Sequence, residues 1–214
     1  WGYTALRAVK TMDKPQRTTV VMLSDKEEIG SEGNTGAQSA LYENFFREVF
    51  FKRHGSHDEI EYRETMSKTT MLSTDVTNAY DPVFGSVSDP QNNAYCGRGL
   101  FLQKYTGSGG KGGASDANSE YLTAVAKTLD KADVQWQAGE MGKVDEGGGG
   151  TICKFAAKWG AQVLDAGVPV LSMHAPYEVC HKLDIYETYR GYVAFLRDMV
   201  AQDRNHNEAK VRLG

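Results

Sequence analysis

Three short apolar runs in the sequence end on a serine and are followed by side chains that can bind a metal ion. The runs are VVMLS, TTMLS and VPVLS, and each has the length of a strand buried inside a sheet. Segments with helical apolar stripes lie between and after them, including residues 37–53 and 182–202. This alternation predicts an α/β fold, a three-layer sandwich in which a mixed sheet with parallel strands is flanked by helices.

The pattern also predicts individual elements. The first run predicts a buried strand over Thr18 to Ser24, and the segment GLFLQKY predicts a further strand. The following TGSGGKGG predicts a flexible loop, after which Ser115 is expected to cap a helix over residues 116–130. The final helix is expected to bury a stripe that includes Tyr186. Since no linker or internal repeat is visible, residues 1–214 are expected to form a single domain.

Composition and charge exclude several classes of partner. The 214 residues contain 24 basic and 28 acidic side chains, so the net charge of −4 predicts no nucleic-acid surface. No apolar run approaches the ~20 residues that cross a bilayer, so no membrane partner is expected. The three cysteines are spaced neither as a disulfide framework nor as a zinc ribbon. They are interpreted as reduced thiols of a cytoplasmic protein.

The side chains after the three runs predict a metal site. Glu27 and Glu28 follow the first run, Asp75 the second and His174 the third. Ligands of open α/β sheets bind beyond the carboxyl ends of the strands, so these groups are expected to converge. Carboxylates and imidazole without thiolates suit zinc, manganese or cobalt. The alternatives are that the acids belong to a solvated loop and that His174 is a hydrogen-bonded core histidine.

Two adjacent glutamates on an irregular turn can take different roles. Because neighbouring side chains diverge there, one glutamate can bind a metal ion while the other stays free. A free glutamate beside a metal ion is suited to act as a general base toward water.

Five blocks of sequence, in order, resemble a known enzyme family. They are DKEEIGSEGNTGAQS, LSTDVTNAYDP, YTGSGGKGGASDANSEY, VDEGGGGTI and LSMHAPYEVCHKLDIYETY. They resemble consecutive blocks of the aspartyl aminopeptidase and aminopeptidase I family of dinuclear zinc exopeptidases, bacterial members above all. The resemblance implies a metal-dependent aminopeptidase that hydrolyses the N-terminal residue of peptides with two divalent ions. These would be zinc, with cobalt or manganese as alternatives, and family members form closed homo-oligomers.

The resemblance also implies roles for single residues. Glu27 would be the general base that activates a metal-bridging water. Glu28 and His174 would bind one metal ion, and Asp75 would bind the other.

Substrate contacts follow from the same resemblance. The turn GGGGT resembles the family's substrate-pocket turn, so Gly149 and Thr151 are expected to contact the substrate backbone. No basic residue can be assigned to recognise an acidic substrate side chain. The bacterial-type blocks favour a neutral or hydrophobic N-terminal residue instead.

Two of the family's five metal ligands have no counterpart in this sequence. A His-x-Asp motif and a metal-bridging aspartate are expected upstream of Trp1. We therefore expect residues 1–214 to be the C-terminal portion of a metallopeptidase catalytic domain, with little activity alone. The alternative is a catalytically dead remnant that acts as an assembly or binding module.

Three weaker signals have other interpretations. The glycine-rich loop fails the Walker pattern because Gly112 replaces the serine or threonine after Lys111, which either contacts substrate or is solvated. His54 and His57 form an HxxH pair that is interpreted as a surface loop. His181 is either a neighbour of the site or a helix-start residue.

Overall fold

The computed structural model describes residues 2–109, 112–143 and 145–199 of the chain. These residues form six α-helices and nine β-strands. The helices are α1 (Gly2–Lys10), α2 (Ala40–His54), α3 (Glu59–Ser67), α4 (Ser119–Lys131), α5 (Cys153–Ala157) and α6 (Lys182–Asp198). The strands are β1 (Thr70–Ser73), β2 (Thr77–Asn78), β3 (Leu100–Gln103), β4 (Tyr105–Ser108), β5 (Gly112–Asp116), β6 (Trp136–Gly139), β7 (Gln162–Gly167), β8 (Pro169–Leu171) and β9 (Val179–Cys180).

The central sheet has four strands in the order β1-β7-β3-β6. Strand β1 runs parallel to β7, and β3 runs parallel to β6, while β3 and β7 are antiparallel. The sheet is therefore mixed, as predicted. Its parallel pairs need helical crossovers, which α4 and α5 supply.

Alternate residues of the central strands point to opposite faces of the sheet and belong to two separate hydrophobic cores. On one face, α1, α4 and α6 pack against the strands, and the buried side chains are Ala8, Leu100, Leu102, Tyr121, Val125, Leu129, Leu164 and Tyr192. On the other face, Cys153 and Ala156 of α5 pack against Val163 of β7. Helices therefore flank the sheet on both faces, as the alternation predicted.

Two small sheets extend this framework. Strands β2, β8 and β9 form one, in which β2 and β8 are parallel. Strands β4 and β5 form an antiparallel hairpin. The predicted flexible loop is thus largely a pair of short strands, and Lys111 lies outside the described residues.

The predicted strand over Thr18 to Ser24 is wrong, because this segment forms no strand. An open groove, of about 1520 Å³ including the solvent at its mouth, is lined by both Thr18–Met22 and Thr69–Leu72. A strand needs a hydrogen-bonded neighbour, and the groove separates this segment from β1, the edge strand it faces. The apolar pattern predicts extended backbone but carries no information about whether a partner strand is present.

The predicted cap of α4 is also wrong. Ser115 and Asp116 pair with Thr106 and Tyr105 in the β4–β5 hairpin, and the helix begins after Asn118. The hairpin uses the polar residues that the sequence pattern assigned to the helix start.

The last helix packs Tyr189, Val193 and Leu196 of the predicted stripe against the core, but Tyr186 does not take part. Tyr186 is 57% exposed, whereas Asp184 and Glu187 are buried. The Asp184 carboxylate accepts hydrogen bonds from the Gly97 and Gly99 amides, and Glu187 accepts one from the Gln135 amide. These acids satisfy backbone donors of neighbouring loops, a role that hydrophobic periodicity does not reveal. Residues 200–202 of the predicted helix lie outside the described residues.

Candidate metal and catalytic site

A closed loop presents the two adjacent glutamates. Its ends meet where Asp25 forms a β-bridge with Gly36 and where the Thr35 hydroxyl donates to Asp25 Oδ2 at 2.7 Å. Gly36 packs directly on the carbonyl group of the buried Ser31, and this contact leaves no room for a Cβ atom. The loop is therefore fixed by its own packing rather than by a flanking strand.

Within this loop, Glu27 and Glu28 diverge. They begin a single 3₁₀ turn, which follows Lys26 with a φ of 60° and precedes Gly30 with a φ of 86°. These left-handed residues reverse the chain on both sides of the turn. Glu27 is half-buried, whereas the side chain of Glu28 is 72% exposed. The two adjacent glutamates therefore differ in their exposure to solvent.

Glu28 lies against His174, from the loop after β8. Glu28 Oε2 and His174 Nε2 are 3.3 Å apart, and the imidazole is 67% exposed. The backbone N–H of His174 donates to Glu178 Oε1 at 2.7 Å, in a loop where Ser172 and His174 both have positive φ. His174 is therefore not a buried core histidine, and the structure brings together two residues that are distant in sequence.

Asp75 is held at the end of β1 by its backbone. Its carbonyl group packs on Gly167 of β7, where a Cβ atom would overlap it, and its Oδ1 accepts from the Val76 N–H at 2.7 Å. Burial, followed by the negative charge of Glu28, raises the pKa of Asp75, while the Val76 N–H and His174 lower it. The Asp75 carboxyl group therefore faces the same space as the Glu28–His174 pair.

A fourth carboxyl group, that of Asp165 in β7, was missed by the sequence analysis. It is buried, and its Oδ1 accepts a hydrogen bond of 2.6 Å from the Thr151 hydroxyl. Thr151 Oγ1 also accepts the Cys153 N–H and lies 3.2 Å from Ser73 Oγ. Asp165 Oδ2 is buried without a hydrogen-bond partner among the described residues.

Burial raises the pKa of Asp165 to about 6, although the hydrogen bonds from Thr151 and Ser73 lower it. The sequence signal for Asp165 was weak, since it sits inside an apolar run rather than after one. The run AQVLD nevertheless includes this carboxylate, and Asp165 lies in register with Ser73, the last residue of β1.

These groups act on the protonation of Glu27. Burial is the largest cause that raises its pKa to about 7, and the charges of Asp75, Glu28 and Asp165 raise it further. His174 acts in the opposite direction. The four residues predicted to form the site, together with Asp165, thus form one electrostatic unit.

The donor set has the chemistry of a zinc site but is not a preformed cage. Carboxylates and one imidazole are ligands that zinc accepts. A cation would relieve the repulsion among the carboxylates and would give Asp165 Oδ2 the partner that it lacks. Within residues 2–109, 112–143 and 145–199, no three metal-competent side chains stand close enough to hold an ion. The described residues therefore fit zinc in kind and supply a partial ligand set.

The predicted substrate-contact residues lie beside this unit. Gly149 forms an antiparallel bridge with Gly107 and packs against the side chain of Met141. The Thr151 hydroxyl is already used by Asp165 and Cys153, so it is the backbone at this turn that remains for a substrate.

The other histidines of the described residues have structural contacts. His181 precedes α6, and its Nδ1 accepts from the Leu183 N–H at 3.2 Å, which favours the helix-start interpretation. His54 ends α2 and stacks on Phe50, whereas His57 stacks on Phe51.

The chain is similar to a known protein family over most of its length. The model of the family described as aminopeptidase I zinc metalloprotease (M18) matches residues 2–196. A probable M18 family aminopeptidase 1 from Clostridium acetobutylicum is 46% identical over 197 residues, which are 92% of this chain. The chain spans 42% of the length of that relative.

Solved structures agree with the sequence comparison. Aminopeptidase I from Clostridium acetobutylicum has a TM-score of 0.83 and 45% identity, and covers 92% of this chain and 42% of its own. An M18 aminopeptidase from Thermotoga maritima has a TM-score of 0.87 and 40% identity, with coverage of 91% and 43%. These likenesses confirm the predicted family resemblance and fold class. In the part of the chain that the structure describes, no helix has the length and apolar character of a membrane span.

Proposed function

The chain belongs to the M18 family of aminopeptidase I zinc metalloproteases, and on this premise we propose that its protein removes single residues from the N-termini of peptides. The observation that carries the proposal is the contact of Glu28 with His174, together with the electrostatic coupling of Glu27 to Asp75 and to this pair. Since the chain spans 42% of the length of its relative, the activity is proposed for the protein at its natural length.

Two metal ions are part of the proposal. Glu28 and His174 hold one, and Asp75 contributes to the other. When bound, zinc supplies a Lewis acid that polarises the scissile carbonyl group. The Glu28–His174 separation of 3.3 Å and the buried, partnerless Asp165 Oδ2 support a cation at this position.

Glu27 performs the proton transfer. Its carboxylate takes a proton from the attacking water and returns it to the amine that leaves. Glu27 is half-buried beside Glu28, so it is placed to accept and release this proton next to the proposed metal ligands.

The Thr151–Asp165 pair positions the wall of the site. Its 2.6 Å hydrogen bond ties the glycine-rich turn to β7. Gly149 and the backbone at Thr151 are then able to contact the substrate main chain along this turn.

Hydrolysis of aminoacyl-p-nitroanilides by the natural-length protein tests the proposal. Zinc, cobalt or manganese should support turnover, and a chelator should abolish it. Glu27→Ala should remove most of the activity with metal bound. An active Glu27→Ala variant would overturn the assignment of the base, and an inactive wild-type protein with full zinc content would favour the alternative of an assembly module.

Assembly and location stay predictions. A solved structure of mApe1 from S. cerevisiae, which shares the fold at 21% identity, is described as a dodecamer. Self-association of this protein and its cytoplasmic location are open to direct measurement by light scattering and cell fractionation.

A further inference from the structure

A second cavity lies beside the proposed catalytic site. It encloses about 680 Å³ including its open mouth, and it is lined by residues of β3, β4 and the loop after β6. Gly147 and Gly148 form one of its walls and lead directly into Gly149. Met141, another lining residue, packs against Gly149. The cavity and the substrate turn therefore share a wall.

The charges around this cavity leave one carboxylate without a partner. Lys143 lines the cavity, but its Nζ pairs with Glu146 at 3.0 Å. Lys104, on the neighbouring strand connection, pairs with Asp116. The Glu140 carboxylate, which also lines the cavity, has no hydrogen-bond or ion-pair partner among the described residues.

The other polar groups of the cavity can accept hydrogen bonds. Tyr105 lines the cavity, and its hydroxyl is buried without a partner in the described part of the chain. Asp145 lines it as well, so the described lining holds the carboxyl groups of Glu140 and Asp145 and the amine of Lys143. An unpaired carboxylate in the lining of a cavity favours a ligand that donates hydrogen bonds and carries positive charge.

Resting on the proposed aminopeptidase function, we propose that this cavity receives the side chain of the substrate's N-terminal residue and that Glu140 selects lysine or arginine there. The cavity thus favours a basic residue, in place of the neutral or hydrophobic residue expected from the sequence blocks.

The ionisation of Glu140 makes the proposal sensitive to pH. Burial raises the pKa of Glu140 to about 7, with Asp116 acting in the same direction and Lys104 against it. Lys143, Asp145 and Glu146 surround the same space. Since a lysine side chain stays charged up to about pH 10, selection should strengthen as the pH rises from 6 to 8 and Glu140 ionises.

A pair of matched ligands tests the cavity without turnover. Lysinamide and norleucinamide differ by the terminal amine, and their α-amines titrate alike. In calorimetry at pH 8, lysinamide should bind the wild-type protein about 10- to 100-fold more tightly, as expected for one charge-assisted hydrogen bond. Glu140→Gln should reduce this ratio to near one, and Glu140→Asp should keep part of it. Glu61→Gln, which removes an exposed carboxylate on α3, should leave the ratio unchanged.

Turnover separates this inference from the proposed function. Lysyl-p-nitroanilide should have a higher kcat/KM than norleucyl-p-nitroanilide, and Glu140→Gln should remove that preference while norleucyl turnover persists. Equal or weaker binding of lysinamide by the wild-type protein would overturn the role of Glu140, whether or not the variants fold. Absence of hydrolysis of both anilides, with the binding preference intact, would instead overturn the aminopeptidase proposal alone.

Discussion

The proposed catalytic site has an exposed half and a buried half, and the two are held in different ways. Glu28 and His174 lie on loops, with side chains 72% and 67% exposed, and are positioned by left-handed backbone residues. Asp165 and Thr151 lie within the packed framework and are joined by a hydrogen bond of 2.6 Å. The exposed half can adapt to a cation, while the buried half is already fixed and loses free energy by holding a carboxyl group out of water.

Glu27 stands between the two halves, so its removal should have the largest effect. Glu27→Gln keeps the shape of the side chain but removes the base, and kcat should fall by about 10²–10⁴-fold with little change in KM. Glu32→Gln, on the same loop and exposed, is the matched control. Steady-state kinetics with zinc-loaded protein measure both variants, and an equal loss in the two would show that the loop, not the base, was affected.

Removal of His174 should affect metal binding but not folding. His174→Ala should weaken zinc binding by about 100-fold or more, because a direct ligand is lost. The melting temperature of the metal-free protein should stay the same, since exposed side chains contribute about ±0.5 kcal/mol. Zinc titration and calorimetry measure the two quantities. A large drop in metal-free stability with unchanged zinc affinity would contradict the division into halves.

Removal of the Thr151 hydroxyl should, in contrast, lower the stability of the metal-free protein. Thr151→Val leaves the buried Asp165 carboxyl group without its donor and should lower the free energy of unfolding by about 1–3 kcal/mol. Chemical denaturation of the metal-free protein measures this loss. Thr35→Val, which removes a hydrogen bond from the loop around the exposed half, should cost clearly less. Equal losses would argue that burial is not what separates the two regions.

The pH dependence of the free energy of unfolding should show that ionisation of the buried Asp165 carboxyl group destabilises the fold. The pKa of Asp165 is raised from 3.8 to about 6, so folding is favoured while the group is protonated and this contribution is lost as the pH rises through 6. In the metal-free protein, Asp165→Asn should therefore raise stability at pH 7 by about 1–2 kcal/mol and have little effect at pH 4. Denaturation across this range checks the difference, and destabilisation by Asp165→Asn at pH 7 would contradict it.

The sequence predicted the exposed half of the site better than the buried half. Glu28 and His174 each follow an apolar run that ends on serine, so the sequence pattern marks both residues. Asp165 lies within a buried strand, and its partners Thr151 and Ser73 come from other elements. Hydrogen bonds across elements depend on tertiary packing, which local pattern does not specify.

The same limit applies to the fold. Periodicity predicted the central strands and most helices, because their apolar faces pack against the sheet. It failed at Thr18 to Ser24, which has no neighbouring strand, and at Ser115, where a hairpin uses the predicted helix cap. Both failures concern pairing between segments rather than the preferences of single residues.

Anomalous diffraction at the zinc edge, from crystals of the natural-length protein grown with zinc, tests the central claim most directly. The account predicts a strong anomalous peak within about 2.3 Å of His174 Nε2 and a Glu28 carboxylate oxygen, and a second zinc position at Asp75. Zinc bound elsewhere in an active enzyme, with the Glu28–His174 pair retaining its direct contact of 3.3 Å, would contradict the account.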